Sequence, residues 1–105
     1  MQQTKKISAT SRSSYQKLED VIGCKWSVSV LTNVGKGICR PGELERSIEG
    51  ISTKVLSERF RKLVEYGLLE KQTYNELPPR TEYSLTAKGK KLVEIIAQIH
   101  ILDGL

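Results

Sequence analysis

The spacing of apolar residues predicts helices over much of the chain. From Tyr15 to Ile22 apolar side chains recur at helical spacing, and Gly23 ends the run. From Lys25 to Val34 alternation would allow a strand, but most apolar residues share one helical face, which favours a helix. Thr86 is a suitable cap for a last helix, Ala87 to about Leu102. Its predicted inward residues are Leu92, Ile95, Ile96, Ile99 and Leu102.

Between these helices the pattern predicts a short helix, a break and a longer helix. Pro41 suits the first turn of the short helix, because its missing N–H would be unpaired there in any case, and Gly50 breaks the helix. Ser52 is a favourable N-cap for the second helix, which covers about residues 52–66. The residues of this helix that should pack on a core are Leu56, Phe60, Leu63, Val64 and Gly67.

A hairpin is predicted after the second helix. Leu68 to Tyr74 and Arg80 to Leu85 alternate like strands, and Asn75–Pro79 joins them. The two prolines of this connection cannot donate to a strand ladder, so they belong in the turn. The resulting fold class is mainly α with a small β-hairpin, an α+β winged helix-turn-helix whose wing spans about residues 69–85.

Positive charge is concentrated in two parts of the chain. The 105 residues include 17 Lys and Arg against 12 Asp and Glu, a net charge of +5. Residues 1–14 contain three basic and no acidic side chains, and we expect a flexible basic arm there, ahead of one domain at residues 15–105. Residues 52–62 contain four basic side chains and one acidic side chain. A basic helix beside a hairpin predicts double-stranded DNA as the partner.

Several function classes have no support in the sequence. No apolar run could span a bilayer or form a signal-peptide core, so we expect a cytoplasmic protein without a membrane partner. Cys24, Cys39 and His100 form no zinc-binding spacing, and we expect neither a metal nor a cofactor. There is no Gly-rich phosphate loop and no His beside a nucleophile, so we do not expect an enzyme.

The candidate DNA contacts follow from the predicted geometry. The recognition helix would enter the major groove, where hydroxyl and basic side chains bond to phosphates or base edges. Arg40 begins the short helix, where free N–H groups also favour phosphate, and Arg80 sits at the rigid wing tip. The full candidate set is Arg40, Ser52, Thr53, Lys54, Ser57, Arg59, Arg61 and Arg80.

Other interpretations stay open at this point. A charged helix face is most often simply solvated, and a rigid proline turn needs no DNA to explain it. A winged helix can also serve as a protein–protein assembly module, or coat DNA without sequence preference. A strong preference for one operator over random DNA would exclude the coating protein.

The last helix carries more apolar surface than one small core can bury, because Val93 and Ile101 lie off its main stripe. Burial against a second copy would cover the excess, and the first helix would add to the same surface. We therefore expect a homodimer. The candidate dimerisation residues are Tyr15, Leu18, Leu92, Val93, Ile96 and Ile99.

The order of motifs resembles a known family. The matching segments are D-V-I-G-x-K-W at 20–26, G-E-L at 42–44, G-I-S-x-K-V-L-S-x-R-F-R-x-L at 50–63, G-L-L-E-K at 67–71, P-P-R-x-E-Y-S-L-T at 78–86, and Gly89. This combination is similar to the HxlR family of bacterial winged-helix transcription regulators, related to the MarR type. The resemblance covers about residues 15–99. It implies a homodimer that binds a pseudo-palindromic operator.

The chain departs from the HxlR pattern at its cysteines. Many members of the family carry a cysteine just before the first helix, and some use it to sense oxidants or electrophiles. Here Ser13 and Ser14 hold that place, and Cys24 replaces the glycine that commonly precedes Lys25. A thiol beside a lysine near a helix start can have a lowered pKa, so Cys24 is the candidate redox residue. No residue pattern identifies a small-molecule or redox effector.

Overall fold

The structure, a computed structural model, describes residues 13–105. It confirms the predicted fold class: the described residues form five helices and one antiparallel hairpin, the arrangement of a winged helix-turn-helix. Residues 1–12, most of the predicted basic arm, lie outside the described part. The elements are α1 (Ser14–Ile22), α2 (Lys25–Gly35), α3 (Pro41–Ser47), α4 (Thr53–Glu65), β1 (Leu69–Tyr74), β2 (Arg80–Leu85) and α5 (Ala87–Asp103).

Side-chain caps fix where three helices begin. Ser13 forms a capping box with Gln16, so α1 begins one residue before the predicted Tyr15. Ser52 accepts a hydrogen bond from the Val55 N–H at 3.1 Å, and Thr86 accepts one from the Gly89 N–H at 2.9 Å. Both predicted caps are therefore confirmed. Each of these side chains accepts from a backbone N–H in the first turn of the helix, where that N–H has no carbonyl partner within the helix.

Helix α2 lies at the centre of the fold, and its helical assignment is confirmed. Val30 and Leu31 are fully buried, and Ser27 is a buried polar residue in the same helix. A continuous apolar core surrounds α2 and takes one or more side chains from every other helix and strand. The buried residues of α3, α4 and α5 in this core are Leu44, Leu56, Phe60, Leu63, Leu92 and Ile96.

The hairpin is tied to α4 and to the loop after α2. The strands pair in register from Leu69 opposite Leu85 to Tyr74 opposite Arg80. The ring of Tyr83 in β2 stacks on that of Phe60 in α4, with centroids 3.9 Å apart and planes 9° from parallel. The Tyr83 N–H also donates to the Cys39 carbonyl at 2.8 Å. These contacts hold the wing at a fixed position beside α4.

Five residues predicted to face the core are exposed instead. Gly67 lies beyond the end of α4, where it adopts a φ of +77°. Val64 in α4 lies at the edge of the core beside β1, where Lys71 and Tyr83 line an open groove. The other three are in α5: Ile95, Ile99 and Leu102. They lie beside or beyond the part of α5 that packs on the rest of the protomer. Of the predicted apolar stripe of this helix, only Leu92 and Ile96 are buried. The apolar stripe of α5 is therefore wider and longer than the protomer core that it covers.

Candidate nucleic-acid interface

The turn between α3 and α4 presents the start of α4 to solvent. Gly50 adopts a φ of +87°, a left-handed conformation that residues with a Cβ rarely accept, and this redirects the chain. Ile48 and Ile51 are buried on either side of it and anchor the turn to the core. Ser52 then caps α4. The first turn of α4 is consequently rigid and exposed, as a helix that enters a major groove must be.

The exposed face of α4 is polar and basic over most of its length. Thr53, Lys54, Ser57 and Arg61 are all exposed, and successive members are one to four residues apart, so they share one side of the helix. Val64 continues this side near the C-terminal end of the helix. We call these five residues the outer face of α4. It contains four of the predicted DNA contacts and lies beside the side that packs on the core, with Phe60 at the boundary between the two.

A groove of about 430 Å³ separates the outer face of α4 from the hairpin. Lys71 of β1 lines it and lies directly opposite Tyr83 in the strand register. This lysine was not among the predicted contacts. The alternation of β1 could have identified it, since Lys71 lies two residues after the buried Leu69 and so on the same face of the strand. The groove residues are Ser57, Phe60, Arg61, Val64, Lys71 and Tyr83.

The two candidate arginines outside α4 meet at one carboxylate, which sequence analysis missed. Arg40 Nε and Arg80 Nε each lie 3.5 Å from Glu82 Oε2. Arg80 is also paired with Glu76 at 3.6 Å, and its guanidinium lies 4.1 Å from the centre of the Tyr74 ring. Such partly exposed ion pairs contribute only about 0–1 kcal/mol each, so a phosphate can compete for either arginine.

Arg59 does not lie on the outer face of α4. Its guanidinium turns toward the start of α2, where Nη1 lies 3.6 Å from Cys24 Sγ and Nε is buried without a hydrogen-bond partner. On the same flank, Lys62 is 3.7 Å from a carboxylate oxygen of Asp20. The structure thus gives Arg59 an intramolecular position, and we leave it out of the proposed DNA contacts below.

Cys24 occupies the N-cap position of α2. Burial raises the pKa of its thiol, but hydrogen bonds from the Ser27 side chain and from the Ser27 and Trp26 backbones, together with the charge of Arg59, outweigh burial. The net result is a pKa below the ordinary value of a thiol. The thiolate is the nucleophilic form of cysteine, so the surroundings of Cys24 favour its alkylation at neutral pH.

We expect Cys24 to react with monobromobimane at a lower pH than an unperturbed thiol does. In a Cys39→Ser variant, the pH midpoint of the labelling rate should lie below that of a short cysteine peptide measured in parallel. Arg59→Met should raise this midpoint, because it removes a positive charge that favours the thiolate. The Cys24→Ser variant shows the background from Cys39. A midpoint equal to that of the peptide would contradict the prediction.

The candidate dimerisation residues fall into three groups by exposure. Leu92 and Ile96 are only 3% and 4% exposed and belong to the core of the single chain, although Leu92 also lines the groove between α1 and α5. Leu18 and Val93 are half-buried against that core. Tyr15 and Ile99 are exposed and contribute to an apolar surface formed by α1 and α5. The other exposed residues on this side are Ile22, Ile95 and Leu102. Ile101, about 160° from Ile99 around α5, and Leu105, just after the helix, are also exposed.

A groove of about 420 Å³ runs between α1 and α5 within this surface. Tyr15, Leu18 and Ile22 line one side, and Leu92 and Ile95 line the other. Of the nine large apolar side chains that are exposed in the described residues, seven lie on α1, on α5 or at Leu105. The remaining two are in α4 and at the wing tip.

In residues 13–105 no group of three or more His, Cys, Asp or Glu side chains is placed to hold a metal ion. Among the helices of the same residues, none combines the length and apolar character needed to cross a membrane.

Known proteins similar to this chain are named as transcriptional regulators. Over 89 residues it is 40% identical to the HTH-type transcriptional regulator sll1512 of Synechocystis sp., a match covering 85% of this chain and 66% of that one. Over 85 residues it is 36% identical to the regulator YkvN of Bacillus subtilis, covering 81% and 72%. The chain thus spans slightly less than two-thirds of the Synechocystis protein.

Solved structures and a family model agree with the sequence matches. A MarR-family transcriptional regulator of Enterococcus faecalis superposes with a TM-score of 0.78 at 32% identity, covering 92% of this chain and 90% of that one. The redox regulator HypR in its oxidised form gives 0.76 at 30% identity, covering 86% and 93%. The model of the HxlR-like helix-turn-helix family matches residues 21–103. The chain therefore belongs to the HxlR-like helix-turn-helix family of transcriptional regulators.

Proposed function

We propose that this regulator binds a pseudo-palindromic DNA operator as a homodimer, with α4 in the major groove and the hairpin against the adjacent backbone. One observation supports this most directly. The outer face of α4 carries two exposed cations and two exposed hydroxyls, and Glu82 of the wing pairs with two further arginines, Arg80 of β2 and Arg40 at the start of α3. A helix in the major groove of a DNA duplex can reach base edges, while a wing beside that helix can reach the neighbouring phosphate backbone.

Each residue has a distinct expected role. Lys54 lies in the first turn of α4, where side chains reach the floor of the groove, so we assign it to base reading. Ser52, Ser57, Arg61 and the previously missed Lys71 would contact phosphates. Arg40 and Arg80 would contact the neighbouring backbone after exchanging Glu82 for phosphate oxygens. The resulting set is Arg40, Ser52, Lys54, Ser57, Arg61, Lys71 and Arg80, with Thr53 considered separately below.

A second copy of the chain is the proposed partner of the apolar surface on α1 and α5. Monomeric proteins rarely expose a continuous apolar patch of this kind. Helices α4 and α5 both pack on α2 and make few direct contacts with each other, so the groove on α1 and α5 is built on a different helix from the outer face of α4. A two-fold axis through this surface would leave both recognition helices free for DNA, and it explains a palindromic operator.

A protein–protein assembly module is less consistent with the outer face of α4. Val64 is its one apolar member, whereas the centre of a protein interface is normally apolar and poor in lysine. A DNA-coating protein would need the cations but would not need the ordered first turn of α4. Comparison of one operator with random DNA separates that alternative from a sequence-specific regulator.

Lys54→Ala and Arg80→Ala test the proposed division of roles. We expect Lys54→Ala to weaken operator binding by about 1–3 kcal/mol and random-DNA binding by less, because a base contact is lost. Arg80→Ala should weaken both by similar factors, because a backbone contact carries no sequence information. Titrations of both variants on an operator mapped by genomic binding, and on random DNA at one salt concentration, give the comparison.

Two controls complete this experiment. Lys91→Ala removes an exposed lysine of α5 that pairs with Glu94 at 3.2 Å, far from the outer face of α4, and should change neither affinity appreciably.

A salt titration of the wild type is the second control. Six phosphate contacts in the dimer would give a slope of roughly −5 for the logarithm of affinity against the logarithm of salt concentration. A flat salt response would show that the basic face of α4 is not the binding surface. Equal losses on both DNAs for Lys54→Ala would reduce Lys54 to a phosphate contact.

A further inference from the structure

The hydroxyl of Thr53 is already committed to a partner within the chain. Thr53 is the first residue of α4, and its Oγ1 donates a hydrogen bond to Glu45 Oε2 of α3 at 2.7 Å. An ionised carboxylate can only accept hydrogen bonds. A threonine hydroxyl has one proton, so this bond uses its whole capacity as a donor. What Thr53 presents to solvent on the outer face of α4 is a pair of acceptor lone pairs.

We propose that Thr53 is a specificity-determining residue that accepts a hydrogen bond from the amino group of a base, and that Glu45 sets this polarity. The inference rests on the proposed DNA-binding function. In the major groove adenine N6 and cytosine N4 are donors, whereas guanine and thymine offer only acceptors at their exocyclic oxygens. Thr53 therefore favours adenine or cytosine over guanine or thymine at the base that it faces.

The same geometry separates Thr53 from phosphate binding. Phosphate oxygens accept hydrogen bonds and are negatively charged, so they would meet both the lone pairs of Thr53 and the carboxylate of Glu45 unfavourably. The adjacent Ser52 has the opposite polarity. Its Oγ accepts from the Val55 N–H at 3.1 Å and keeps its own proton, which can be donated to a phosphate. Two neighbouring hydroxyls at the start of α4 thus have different partners.

Selection of bound duplexes from a randomised DNA library tests the assignment with the full chain. The wild-type pool should show adenine or cytosine at one position of each half-site. Thr53→Val has nearly the same shape but no hydroxyl, and it should lose this preference. Its affinity for the wild-type site should fall by about 3- to 10-fold, as expected for one hydrogen bond. Thr53→Ser keeps the hydroxyl and should keep the preference.

Glu45→Gln and Glu45→Leu together test the role of Glu45. A glutamine keeps an acceptor oxygen for the Thr53 hydroxyl but has no charge, so Glu45→Gln should keep the preference. Glu45→Leu removes the acceptor and releases the threonine proton, so its preference should weaken or move toward guanine or thymine at the same position. An unchanged Glu45→Leu pool would overturn the role given to Glu45. A Thr53→Val pool that keeps adenine or cytosine would overturn the role of Thr53 and leave the proposed function standing. A wild-type pool without any enriched sequence would overturn both.

Discussion

Ile99→Glu is expected to convert the proposed dimer into a monomer and to lower operator affinity by on the order of 10²–10⁴, because the two half-sites would no longer be bound by one linked pair of domains. Ile99 is 40% exposed on the surface formed by α1 and α5, so the change should not disturb the protomer core. In a dimer it would place a carboxylate from each copy in an apolar contact, which costs several kcal/mol when the charge has no partner. Sedimentation velocity at micromolar concentration measures the oligomeric state.

Ala97→Glu is the matched control for the Ile99 substitution. Ala97 is exposed on the same helix, two residues earlier and therefore about 160° away around the axis. It receives the same charge on the side of α5 that faces away from Ile99, and its variant should remain a dimer with wild-type affinity. The proposal of a dimer through α1 and α5 would be overturned by an Ile99→Glu variant that sediments as a dimer at the same concentrations as the wild type.

The order and the ends of the helices and strands could be predicted from the sequence, because they depend on residues that are close together in the chain. Ser52 and Thr86 cap their helices by bonds to residues three positions away, and the prolines of the wing turn act within their own segment. The choice of helix over strand for α2 followed from the shared face of its apolar residues. None of these predictions requires knowledge of what packs against the helix or strand.

The directions of long side chains could not be predicted in the same way. The sequence places Arg59, like Lys54, among the candidate DNA contacts of the recognition helix, yet its flank of α4 meets the start of α2 and its guanidinium turns to Cys24. Arg40 and Arg80 are joined by Glu82, a contact between α3 and the wing that depends on tertiary packing. A local pattern places a residue on an element, but its partner depends on which elements meet.

The surface of α5 shows a related limit of sequence patterns. The periodicity of Leu92, Ile95, Ile96 and Ile99 marks these residues as apolar on one side of the helix, but it does not say which partner covers them. The structure assigns Leu92 and Ile96 to the protomer core and leaves Ile95 and Ile99 exposed. The second pair offers a second copy the larger exposed area, and a substitution at Ile99 changes that surface without removing a core side chain.

Gly89→Ala is expected to destabilise the fold by about 2–3 kcal/mol, the upper part of the range for overpacking a tight contact. A Cβ at Gly89 would overlap the carbonyl oxygen of Leu68, where the hairpin meets α5. Leu68 is buried, and its carbonyl accepts from the Thr86 N–H at 3.1 Å, so the backbone cannot move aside without loss. Thr86 Oγ1 also donates to the Gly67 carbonyl at 2.6 Å, which fixes the same junction. This close approach explains the glycine in the motif.

Thermal unfolding with Gly42→Ala as the control measures this effect. At Gly42 in α3 the added Cβ would meet only the mobile end of the Arg46 side chain at 3.5 Å, so alanine should be neutral or stabilise by up to about 1 kcal/mol through its helix propensity. For Gly89→Ala the Tm should fall by roughly 10–20 °C, since about 1 kcal/mol corresponds to 4–8 °C in a domain of this size. Both variants are compared at one protomer concentration, because the Tm of a protein that dimerises depends on concentration. If Gly89→Ala melted at or above the wild-type temperature, α5 and the hairpin would have to be farther apart than the structure places them.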